Sequence, residues 1–159
     1  MKKPFSLSVA LLTVFLAMTA CDAPPKETTM NSDIDKLSRL IELPVQPRKA
    51  RWEVIETGTT GGMGPNDWTL VAILEFTPEN YRSVIDRLRI GPLKQALQLP
   101  FLPWYPDEIK KWPHAANSGR YLFEGEAASA EPFFSPPLLQ GEAIPIPSAD
   151  ALLLVLTTS

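Results

Sequence analysis

Along the chain the apolar positions change period several times, and each change marks an element. Ile34, Leu37, Leu40 and Ile41 recur at helical spacing and stop before Pro44, which predicts a short opening helix. Residues 51–57 set Trp52 and Val54 against Arg51 and Glu53, the period-two pattern of a half-buried strand whose polar face meets water. Residues 68–76 are apolar on both faces until Glu75, so they predict a central strand covered on two sides. Thr77 stands where a helix cap belongs, with Pro78 at the first helical position. Tyr81, Val84, Ile85 and Leu88 then form one stripe, Arg82 and Asp86 pair on the other face, and Gly91-Pro92 ends the run. Further on, Tyr121 and Phe123 alternate with Leu122 and Glu124, predicting a strand over 120–127. Residues 151–157 are almost unbroken in apolar character and short for a helix, so they read as a buried strand. The two-sided segments 68–76 and 151–157 become interior strands of one sheet. The predicted class is α+β: a mainly antiparallel sheet, one amphipathic helix packed on a face, and proline-rich loops.

The N-terminus follows another pattern. Lys2 and Lys3 precede a 13-residue apolar stretch, 5–17, softened only by Ser6, Ser8 and Thr13. Thr19, Ala20 and then Cys21 follow. A positive start, an apolar core of about 7–15 residues and a small-residue end are the anatomy of a secretory signal, whereas a membrane-spanning helix needs about 20 apolar residues. Met18-Thr19-Ala20-Cys21 resembles the lipobox of bacterial lipoproteins, with Met18 where Leu is usual. The resemblance implies cleavage before Cys21, a diacylglyceryl group on its sulfur and acylation of the new amine. Two or three acyl chains, at about 0.8 kcal/mol per buried methylene, anchor stably where one chain binds marginally. Asp22 resembles the retention signal of enterobacterial lipoproteins, which favours the inner membrane and leaves the outer membrane open. The remainder resembles the small lipoproteins of diderm bacteria, held in the envelope and facing the periplasm.

This divides the 159 residues into a signal peptide (1–20), a lipidated cysteine with a flexible tether (21–32) and one domain (33–159). Residues 22–32 are polar and aperiodic; fully extended they reach about 36–40 Å, and as a coil roughly 18 Å, placing the domain near the membrane rather than in it. All of the 17 prolines except Pro4, Pro24 and Pro25 lie in the domain, clustered over 92–113 and 132–147. Each removes a backbone donor and fixes φ, so these zones read as extended loops or sheet edges. A net charge of −3 gives no electrostatic reason to bind nucleic acid. With one histidine, His114, and one cysteine, Cys21, neither a His-pair or Cys-cluster metal site nor an internal disulfide can form. No cofactor is expected.

Three constellations carry candidate chemistry. Glu124 and Glu126, two apart on a predicted strand, would project from one face about 7 Å apart, as paired carboxylates do in glycoside hydrolysis. A solvated strand face explains them more simply, since one of a catalytic pair needs burial and nothing local supplies it. The loop 58–67 carries Gly61 and Gly62 but lacks the Lys-Ser/Thr of a phosphate loop and leads into a strand. Its length suits a binding loop instead. Phe101, Trp104 and Tyr105 sit in a proline-stiffened run, with Trp112 and His114 beyond. Aromatics on pre-ordered loops lose little entropy on binding, and the plainer alternative is that the tryptophans fold back over the sheet. Neither a Gly-x-Ser-x-Gly elbow nor a Cys/His nucleophile arrangement is present. The expectation is a non-enzymatic binding or interaction module, with Trp104, Tyr105, Trp112, Gly61 and Gly62 as its contact surface and an envelope protein or glycan as partner. The alternatives are an envelope-glycan hydrolase using Glu124 and Glu126, and a periplasmic inhibitor or immunity protein.

Overall fold

The computed structural model describes residues 30–57, 67–116 and 118–158. In chain order the elements are α1 (Ile34–Leu37), β1 (Lys49–Thr57), β2 (Asp67–Glu75), α2 (Pro78–Ile85), β3 (Gly91–Pro92), β4 (Leu97–Pro100), α3 (Asp107–Lys110), β5 (His114–Ala115), β6 (Arg120–Phe123), β7 (Glu126–Ser129), β8 (Gln140–Ile146) and β9 (Ala151–Thr157). Short 3₁₀ turns occupy Glu131–Phe133 and Pro147–Ala149.

The two apolar segments 68–76 and 151–157 lie side by side. β2 and β9 pair antiparallel, with Ala72 opposite Leu154, in the middle of a six-stranded sheet ordered β1-β2-β9-β8-β7-β3. Successive side chains on a strand point to opposite faces, so an unbroken apolar strand needs a cover on each side. Leu70, Ala72 and Leu74 with Leu152, Leu154 and Leu156 enter one core, shared with Leu37, Trp52, Phe76, Val84 and Phe133. Val71, Ile73, Leu153 and Val155 enter a second core with Leu99, Leu102, Tyr105 and Ile109. The second core is roofed by a smaller three-stranded sheet, ordered β4-β6-β5, and by α3.

The architecture is mainly β, an antiparallel sheet with little helix. α2 begins as its sequence dictates: the Thr77 side chain accepts the Asn80 N–H at 3.3 Å, and Pro78 opens the first turn. The regular helix stops at Ile85, and the stripe continues through turns to Leu88.

Two expectations are corrected. Residues 120–127 do not form one strand: β6 belongs to the small sheet and β7 to the large one, with Glu124 and Gly125 as the crossing. A β-carbon at Gly125 would lie 2.7 Å from the far end of the Phe123 ring, so a side chain at the crossing would require that ring to shift. The polar face of β1 does not meet water either. Glu53 is only 4% exposed whereas Val54 is 38% exposed, because the segment following β4 covers the face that carries Arg51 and Glu53.

Pro145 sits in β8 opposite Leu152. β7 pairs with β8 only at Ala128↔Ala143 and Ser129↔Glu142, so Pro145 meets a partner strand on the β9 side alone. Its missing donor is tolerated there as it is on an edge strand.

Candidate functional site

The aromatic run after β4 is clipped to β1 by polar contacts at its centre. Arg51 Nη1 donates to the Trp104 carbonyl at 2.9 Å, and the Trp104 indole Nε1 donates to Glu53 Oε2 at 3.0 Å. A buried carboxylate requires a strong donor, and an indole N–H supplies one while its ring covers apolar surface. Arg51 also donates to Glu75 Oε1 at 3.2 Å, while Arg48 approaches Oε2 of the same carboxylate at 3.8 Å. At the far end of the run, the Ser148 hydroxyl donates to Glu108 of α3.

The aromatic residues therefore divide. Tyr105 is 2% exposed in the second core, and its hydroxyl has no hydrogen-bond partner among the described residues. Burial pushes that hydroxyl well above the usual tyrosine range, with the nearby Glu53 and Tyr121 adding to the shift. Trp104 and Trp112 are half-buried against the same core, Trp104 edge-on to Tyr105 and Trp112 against Phe123 with ring centroids 4.5 Å apart. Phe101 faces outward, 44% exposed. Its ring stands edge-on to Tyr121 at 4.4 Å and to His114 at 4.9 Å, so a rigid aromatic base holds an exposed ring.

A groove of about 620 Å³ opens at the other end of β4. Arg89, Lys94 and Gln95 line it over a floor made by Leu93, Leu97 and Ala127. β3 pairs with β7 only at Gly91↔Ala127 and Pro92↔Glu126, and Ala128 and Ser129 also contribute to the lining. Glu142 borders the groove, and partial burial raises its carboxyl above the ordinary range. Arg89 and Lys94 have no carboxylate partner among the described residues, which leaves two cations beside an apolar floor. This groove has no motif in the sequence. A two-residue strand leaves no periodicity, and Arg89 and Lys94 look like ordinary surface charges.

Glu124 and Glu126 are both exposed, Glu124 within the crossing between the two sheets and Glu126 at the start of β7, instead of sharing a strand face. His114 is exposed on β5 and engaged with aromatic rings. No three His, Cys, Asp or Glu side chains converge to hold a metal ion among the described residues. Cys21, Asp22, Gly61 and Gly62 lie outside the described residues. β1 and β2 pair antiparallel as far as Thr57↔Asp67. Among the described residues no helix is long and apolar enough to cross a membrane. Compared with known proteins, the chain matches no family model, no curated protein and no solved structure.

Proposed function

We propose that this chain is a lipid-anchored protein of the cell envelope, facing the periplasm, whose domain binds a protein partner rather than transforming a substrate. The anchor is supported by the paired lysines, the apolar core and the small residues leading to Cys21. Asp22 supports the inner membrane. In this reading α2 is one cover of the first sheet face, supported by Val84 and Leu88 in that core.

The observation that carries the binding reading is the layout of β4. This four-residue strand runs from the groove with Arg89 and Lys94 to the exposed ring of Phe101, a span of roughly 13 Å. Cations at one end and a rigid ring at the other suit an extended protein segment bearing an acidic group and an apolar side chain. A glycan stacked on Phe101 would leave the cations unused. The Trp104 clip holds this surface in place before binding, which lowers the ordering cost.

The test is crosslinking in intact envelopes with full-length protein, comparing wild type with Phe101→Ala and Lys94→Glu. One recurrent partner, captured by wild type and lost in both variants while their melting is unchanged, is the expected outcome. Repeated capture of nothing, or capture indifferent to both substitutions, would overturn the reading.

A further inference from the structure

A second concave surface lies where the tether joins the domain. Asn31 is bonded to the free edge of β1 by a reciprocal pair with Trp52, both N···O distances being 2.8 Å. Beside it a groove of about 540 Å³ is lined by Met30, Ile34, Arg48, Lys49, Arg51 and Glu75. Three cations there face one carboxylate, on a chain whose net charge is −3. Glu75 bonds Arg51 at 3.2 Å and lies 3.8 Å from Arg48, which draws both guanidinium groups to one carboxylate. Met30 adds an apolar side chain, 41% exposed, at the rim.

We propose that this groove docks the domain onto anionic phospholipid headgroups of the membrane that holds its anchor. The inference rests on the lipid-anchor reading and adds an orientation to it. Eight residues separate Cys21 from Met30, a span of at most about 30 Å, so the anchor keeps the groove within reach of the headgroups and at high local concentration. Charge complementarity supplies the rest: a basic residue near an anionic surface is worth about fivefold in partition, within a Debye length of about 8 Å. The end of the β4 surface that carries Arg89 and Lys94 is then left to the partner, because Lys94 follows β3 at the opposite edge of the large sheet from β1.

The test uses the purified full-length lipoprotein in phosphatidylcholine vesicles with and without phosphatidylglycerol. Lysine acylation is read by mass spectrometry, with Lys94 as internal reference. Lys49 should label about fivefold more slowly when phosphatidylglycerol is present, with the difference lost at high salt. Arg48→Glu should restore the labelling; Arg51 is left intact because it braces the Trp104 segment. Acylated protein whose Lys49 labels equally in both vesicles would overturn the docking alone. Equal protection by inorganic phosphate without vesicles would also overturn it, since the groove would then take a free anion. An intact mass showing no acyl group at Cys21 would overturn the anchor reading and the docking with it.

Discussion

Trp104 donates its indole N–H to the carboxylate of Glu53 at 3.0 Å, joining residues 51 positions apart and closing the second core against the edge strand β1. A hydrogen bond to a charged group contributes about 1.5–3 kcal/mol, and leaving a buried carboxylate without its donor forfeits at least that. Trp104→Phe should therefore destabilise the domain by about 2–3 kcal/mol, whereas Glu53→Gln, which retains an acceptor, should cost less than about 1.5 kcal/mol. Denaturant melts of both variants and of the double variant check this. Strictly additive effects would show that the contact contributes nothing.

That contact also shows where sequence reasoning stops. Arg51 and Glu53 alternate with Trp52 as a solvated strand face does, and only a segment brought from 51 residues away makes Glu53 a buried residue. The break at Gly125 is hidden for a similar reason: Tyr121 and Phe123 alternate with Leu122 and Glu124 up to it, and no proline interrupts 120–127, so the run reads as one strand. Local signals read correctly. Thr77-Pro78 starts α2 by capping chemistry that needs no tertiary context, and the apolar character of 151–157 demands burial on two faces wherever the strand lies. Of the candidate surface, the proline-stiffened aromatic run is visible in the sequence, but not which ring points outward. Phe101 and Tyr105 are equally aromatic, and the packing of the small sheet decides that Tyr105 is buried.

Tyr105 offers a second test, through its buried, unpartnered hydroxyl. Removing an unsatisfied polar group recovers part of a desolvation cost of about 1–3 kcal/mol, so Tyr105→Phe should match or exceed wild type in stability near neutral pH. Above about pH 10, the ordinary tyrosine pKa, the unfolded chain loses a proton that burial makes the folded Tyr105 retain. The unfolded state then binds fewer protons, and stability falls as pH rises, by up to about 1.4 kcal/mol per unit from this group. Tyr81, also raised by burial and then by the charges of Asp150 and Glu108, acts in the same direction. The alkaline decline should be shallower in Tyr105→Phe, measured by urea midpoints across the alkaline range.

Leu154 is fully buried opposite Ala72 at the centre of the large sheet. Leu154→Ala should cost about 2–5 kcal/mol through lost burial and the cavity left behind, a large share of a typical stability of about 5–15 kcal/mol. Ending the chain after Asp150 removes β9 and should abolish cooperative unfolding altogether. An unchanged midpoint in the truncated chain would remove β9 from the core.

Gly141 lies in β8 at φ +146°, and a β-carbon there would come within 2.1 Å of the Val155 carbonyl oxygen. The obstacle is backbone of the neighbouring strand, so it cannot swing aside. Gly141→Ala should cost upwards of about 1–3 kcal/mol in strain and shift the β8–β9 pairing, read as faster amide exchange at Val155, which lies opposite Glu142 of β8.

The central claim is that the chain reaches the envelope as a lipoprotein held at Cys21, and metabolic labelling tests it most directly. Full-length protein and Cys21→Ser are expressed in a diderm bacterium supplied with labelled palmitate, then compared by autoradiography and size. The account predicts label on a processed wild-type protein and an unlabelled, larger precursor in the variant. Label retained by Cys21→Ser, or a processed wild-type protein carrying none, would contradict it.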